Sequence, residues 1–186
     1  VSPRRFLLVL VGATAVGCVP YVTPPVTATL GLAHDASQGA RTGFHADAGF
    51  SPWQVIGGQL DRSWDVTVSG SYDHLGGARW GGALAAGPVL HPWGLDPARA
   101  LSDRVMPQLV GRWTTAGRSA GVRLILERAI FADTSGTAAA AWGEDAIGGY
   151  LEAGYLWTGD ARDGWMIGLG VAGRLSATAG VACCLK

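Results

Sequence analysis

The sequence predicts an all-β fold: a closed antiparallel up-and-down transmembrane β-barrel of about eight strands, preceded by a cleavable signal peptide. Three observations carry the prediction. Apolar and polar residues alternate with a period of two in segment after segment, each bounded by Gly, Asp, Ser or Pro. The 186 residues include 29 glycines and 8 tryptophans but only 15% charged residues, with a formal net charge of zero, whereas a soluble domain carries about 25%. Finally, aromatic residues gather at the ends of the apolar faces.

The amino-terminal segment comes first. Ser2-Pro3-Arg4-Arg5 is a basic head, Phe6 to Val16 is an almost unbroken apolar run, and Ala15-Val16-Gly17-Cys18 closes it with small residues. That order matches a bacterial export signal, and the run falls short of the roughly 20 residues that a spanning helix needs. The block resembles a lipoprotein signal peptide, whose cysteine becomes the lipidated first residue of the mature chain. The resemblance implies a signal peptide at 1–17, palmitate or a similar acyl group on Cys18 and a lipidated linker at 18–25, ahead of the barrel domain that the alternation places at 26–186. Ordinary secretion with cleavage nearby is the alternative.

The strands follow in order. Val26 to His34 places Val26, Ala28, Leu30 and Leu32 on one face, and Gly43 to Phe50 sets Phe44, Ala46, Ala48 and Phe50 against His45 and Asp47. In Ser63 to Asp73, Trp64, Val66, Val68, Gly70 and Tyr72 alternate strictly with Asp65, Thr67, Ser69, Ser71 and Asp73. Ala78 to Ala86, Val105 to Thr114, Ser119 to Ala129, Ile147 to Thr158 and Trp165 to Ser176 continue the pattern, and the last alternation extends toward Leu185. A short helix is expected at Pro97 to Leu101, with Asp96 as its cap and Pro97 at its first position.

Eight alternating strands suit either a soluble barrel with its apolar face inward or a membrane barrel with that face outward. The polar face carries charges of both signs: Asp47, Asp65, Asp73, Arg79, Arg112, Arg123, Glu127, Glu152 and Arg174. These can neutralise one another inside a narrow cylinder. Tyr72, Trp80, Trp113, Trp157 and Trp165 fall beside turns at one rim, as an interface between lipid and water favours. The chain from about 26 to 185 resembles the small eight-stranded outer-membrane barrels of Gram-negative bacteria. It departs from them at Cys183-Cys184-Leu185-Lys186, where that class commonly ends on an aromatic residue. Its connections after strands one, three, five and seven are short and those after two, four and six are long. With the lipidated end in the periplasm, the short ones face outward, the reverse of the usual rule.

Chemistry is sparse. His45 with Asp47 and Asp73-His74 are the only local acid–imidazole combinations, and neither accompanies a serine motif such as GxSxG. No catalytic residue, metal site or cofactor is assigned. Cys183 and Cys184 form no zinc spacing; a vicinal disulfide, two thiols or pairing with another chain remain open. No Lys/Arg cluster offers a nucleic-acid footprint. The expected function is structural or interactive: loops presented at the outer-membrane surface, with membrane lipid as one partner, an envelope protein or extracellular ligand as another, and no conducting pore. A barrel-rim enzyme acting on lipid or peptide and a soluble calycin-like carrier of an apolar ligand are the alternatives.

Overall fold

The computed structural model describes residues 18–23, 26–36, 40–52, 63–94, 101–130, 140–142, 145–158, 163–175 and 177–183. The expected signal peptide at 1–17 lies outside them. Eleven strands run in chain order: β1 (Cys18–Thr23), β2 (Val26–Asp35), β3 (Arg41–Phe50), β4 (Trp64–His74), β5 (Ala78–Pro88), β6 (Leu101–Thr114), β7 (Gly117–Ile130), β8 (Ala140–Trp142), β9 (Asp145–Trp157), β10 (Gly164–Leu175) and β11 (Ala177–Cys183). Eight of them close a barrel in the order β10-β2-β3-β4-β5-β6-β7-β9. Every seam is antiparallel, and all but the closing β10–β2 seam join strands consecutive within the barrel, so the topology is up-and-down.

All eight expected strands are present, most of them longer than the alternation alone marked. Two expectations are corrected. Leu101 is not the end of a helix but the first residue of β6, whose pairing with β7 begins at Leu101↔Ile130; residues 97–100 lie outside the described set. The last barrel strand stops at Leu175 instead of running toward Leu185. Residues 177–183 form β11, which pairs with β1 and β8 in a separate three-stranded sheet. The segment read as a linker thus contributes β1, with Cys18 opposite Cys183 in the register. The period-two signal did not break at residue 176, because a strand that leaves one sheet for another keeps its alternation.

The two faces of the wall differ sharply. Asp65 is 0% exposed and Glu152 3%, while Trp64 is 57% exposed and Leu169 58%. Polar residues therefore fill the interior and apolar ones form the outer surface. A leucine from a turn closes one end: Leu75, followed by Gly76 at φ 75°, tucks under the β4–β5 turn against Ala33 and Met166. Val89, Met106, Ile125, Tyr150 and Ala172 form a second apolar cluster inside.

The barrel is narrow, and its inner wall is tight enough to require glycine. A Cβ on Gly121 would run into the backbone of Ala153 and Gly154 on β9, neither of which can move without opening the seam. On Gly31 it would strike the Leu169 carbonyl and the Tyr150 hydroxyl. Glycine at such positions lets strands bend around a small radius. Gly121→Ala is therefore expected to cost about 1–3 kcal/mol, whereas Gly82→Ala, whose Cβ would meet only Ser69 O at 3.6 Å, stays within about 0.5 kcal/mol of the parent. Urea titration followed by tryptophan fluorescence compares the two.

Candidate functional site

The inward alternation of eight strands delivers a stack of charged groups along the barrel axis. Buried in it are the carboxylates of Asp35, Asp47, Asp65, Asp73, Glu127 and Glu152 and the guanidiniums of Arg79, Arg104, Arg112, Arg123 and Arg174, together with His45. Each predicted interior charge is there. The structure adds Asp35 and Arg104, which sit one alternation step beyond the strand ends read from sequence, in line with Ala33 and Met106 respectively.

The central layer is a ring of four. Arg112 contacts Asp47 at 2.9 Å and both oxygens of Glu152, Oε1 through Nη1 and Oε2 through Nη2, the latter at 2.8 Å. Arg123 bonds Glu152 through Nε at 2.7 Å and reaches Asp47 with Nη2. Arg123 and Glu152 face each other across the β7–β9 seam, but Arg112 and Arg123 meet Asp47 from β6 and β7, across the lumen from β3. The Arg123 guanidinium also lies 5.4 Å from the centre of the Tyr150 ring. Here two arginines share two carboxylates, and each carboxylate receives more than one donor, which charge-assisted pairing favours.

Beside this ring, the His45 imidazole is held between strands. Its Nδ1 bonds Asp73, its cross-strand partner, and its Nε2 lies 3.4 Å from Asp47 and 3.2 Å from Arg112. The sequence placed Asp73 with the adjacent His74. On a strand neighbours point to opposite faces, and His74 is exposed on the outside, 3.3 Å from the Tyr72 hydroxyl. The closer acid for His45 was therefore a cross-strand one. Among the described residues no serine, threonine or cysteine contacts the His45 ring, and the residue is only 2% exposed.

A second layer occupies the end where β1 enters. Arg174 bonds Asp65 at 2.5 Å and Glu127 at 3.1 Å, Arg104 bonds Glu127 at 2.5 Å, and Ser51 donates to Asp65 at 2.8 Å. Arg79 and Asp35, 3.0 Å apart, form a third at the tight-turn end. Between the first two layers a cavity of about 20 Å³ is lined by Thr29, Thr67, Ser69 and Gln108 as well as charged groups. That is room for one water molecule, not for a ligand. Among the described residues no group of three or more His, Cys, Asp or Glu is arranged to hold a metal ion.

On the outer surface, Tyr72, Trp80, Trp113, Trp157 and Trp165 all lie toward the tight-turn end. Tyr72 and Trp80 are register partners with ring centres 4.2 Å apart, and Tyr155 bridges Trp157 and Trp165 at 5.2 and 5.4 Å. Trp113, Arg118 and Trp157 form one cross-strand row. At the other end, Trp64 and Trp93 are exposed; Trp53 lies outside the described residues. The side chain of Cys18 is not among those described, and Cys184 lies outside them.

No protein-family model, no curated protein and no solved structure matches this chain.

The buried ring and an exposed pair on the outer wall offer a contrast. Arg112→Met removes donors from two buried carboxylates and is expected to cost about 3–5 kcal/mol. Arg128→Met breaks a 2.6 Å pair with Asp103 in which the side chains are 59% and 38% exposed; solvent screens that pair, and its loss is expected to leave the urea midpoint close to that of the parent. Shifts in the urea midpoint of each variant measure both.

Proposed function

We propose that the chain is an exported outer-membrane β-barrel with a structural or interaction role, holding its longer connections at one membrane face. The observation that carries this reading is the inside-out wall: large apolar side chains outside, paired ions within. Water would solvate the outer surface poorly, and contiguous exposed apolar surface of this extent marks a binding or membrane-facing region. Hydrocarbon accepts it, and a closed barrel leaves no unpaired sheet edge there.

The dimensions support the same reading. Trp64 and Tyr72 lie eight residues apart on β4, on the order of 26 Å along the strand and, at a tilt of about 40°, about 20 Å in height. An outer apolar band of about 25 Å, flanked by aromatic girdles, is the usual membrane measure. The interior, filled by its ionic layers and two apolar clusters, favours a plugged wall over a conducting pore. The connections bearing residues 53–62, 95–100 and 131–144 all leave at the end opposite the tight turns. β8 and the terminal strands gather there too, so that end is the one suited to meeting an envelope protein or an outside ligand. Acylation at Cys18 would add a second membrane contact at the start of β1.

In vesicles whose lipids carry bromine at defined chain depths, tryptophan fluorescence is expected to be quenched most by bromines near the headgroup, because Trp80, Trp113, Trp157 and Trp165 share one rim. Recovery of the chain as a monomer in plain buffer, without surfactant, overturns the membrane assignment. Separately, labelled palmitate fed to expressing cells is expected to enter the chain and to be lost in Cys18→Ser. Retained label in that variant ends the anchor.

A further inference from the structure

The β5–β6 seam departs from the other seven. Its ladder runs from Gly81↔Thr114 to Ala86↔Leu109, halts, and resumes in the same register at the single bridge Leu90↔Val105. That register sets Pro88 opposite Pro107. Leu90 and Val105 exchange both backbone hydrogen bonds at 2.9 Å, while Val89 donates the other way, to Ser63 of the β4 side. Backbone groups of alternate residues point to the same neighbour, so Pro88 and Pro107 both aim their carbonyls into the β5–β6 gap. Neither ring has an N–H. Two facing carbonyls therefore lack the donors that any other residue pair would supply at this place in the wall.

The two rings point outward. They form part of the floor of an apolar groove of about 450 Å³ on the outer surface, whose lining includes Trp64, Leu109, Leu124 and Leu151. The groove starts at the level of Trp64, the register partner of Pro88, and crosses β6, β7 and β9 toward the middle of the wall. Apolar walls suit an acyl chain. Facing acceptors at the Trp64 level call for a hydrogen-bond donor near the carbonyl end of that chain, since an unsatisfied backbone group is costly in hydrocarbon.

We propose that the proline-faced β5–β6 seam is a lateral binding notch for a hydroxylated acyl lipid, its chain lying in the groove and its hydroxyl donating to the Pro88 and Pro107 carbonyls. The notch rests on the membrane reading above and adds to it a preferred lipid class. It also accounts for two prolines at facing, hydrogen-bonding positions of one seam, where each alone removes a ladder bond.

The test uses the full chain in phosphatidylcholine vesicles containing a trace of phosphatidylcholine with a diazirine on one acyl chain, with crosslinked residues located by mass spectrometry. Labelling at residues 86–90 and 105–109 is expected to exceed that at Leu32 and Leu169, on the opposite wall, by about fivefold. Unlabelled 2-hydroxyacyl phosphatidylcholine is expected to compete at a mole fraction about threefold lower than its chain-matched plain counterpart. The double variant Pro88→Ala, Pro107→Ala restores both N–H donors and should make the two lipids compete equally while the groove still labels. Leu109→Trp, which leaves the backbone alone and fills the groove, should bring labelling down to the level of the opposite wall. Even labelling around the parent barrel, or equal competition by the two lipids there, overturns the notch while leaving the membrane reading intact. No labelling at any outer position overturns both.

Discussion

The barrel depends on the way Asp47, Arg112, Glu152 and Arg123 satisfy one another across its lumen. A ring of eight strands leaves an interior wide enough for side chains and little else, so a charge placed there has no bulk water to solvate it. Its partners must come from other strands. Asp47 on β3 meets arginines from β6 and β7, and Asp65 on β4 meets Arg174 on β10. These ties cross the cylinder and do not merely run along a seam. A slip of one residue in any participating strand would turn its inner set outward and leave the facing charges buried and unpaired. Such pairs add little net stability over apolar substitutes, but breaking one is expensive; their effect is to select one register.

The outer wall obeys the complementary constraint. With the polar groups taken inside, Leu, Ile, Val and Trp side chains cover the exterior, and closure of the ring removes the unpaired edge that would otherwise invite aggregation. The tight radius that creates the ionic interior also demands glycine on the inner face, as at Gly121 and Gly31. Composition, curvature and polarity are thus one design: glycine permits the small barrel, the small barrel forces ion pairing, and ion pairing leaves the apolar residues outside.

The β5–β6 seam interrupts that design in one place. Within the ladders of the other seams strands spend their N–H and C=O groups on one another, but Pro88 and Pro107 withdraw both donors from a shared position. The interior behind them is closed by Gln108 and Met106, both buried, so the interruption belongs to the outer surface and to whatever surrounds it.

The sequence alone determined the strand number within the barrel, the inward and outward faces, and the identity of most interior charges, because a side-chain period of two is written locally, residue by residue. Even the aromatic rim was legible, since turns and strand ends fix height along the wall. Partners were not. Asp73 stood beside His74 in the chain and bonds His45 in space, because adjacent strand residues point apart while register partners point together. Leu101 looked like a helix end, since Pro97 and Asp96 satisfy a local capping pattern that says nothing of the pairing with Ile130. The exit of β11 to join β1, and the meeting of Pro88 with Pro107, were decided only when the ring closed, because alternation is the same whichever sheet a strand enters and only closure assigns one strand's register against another's.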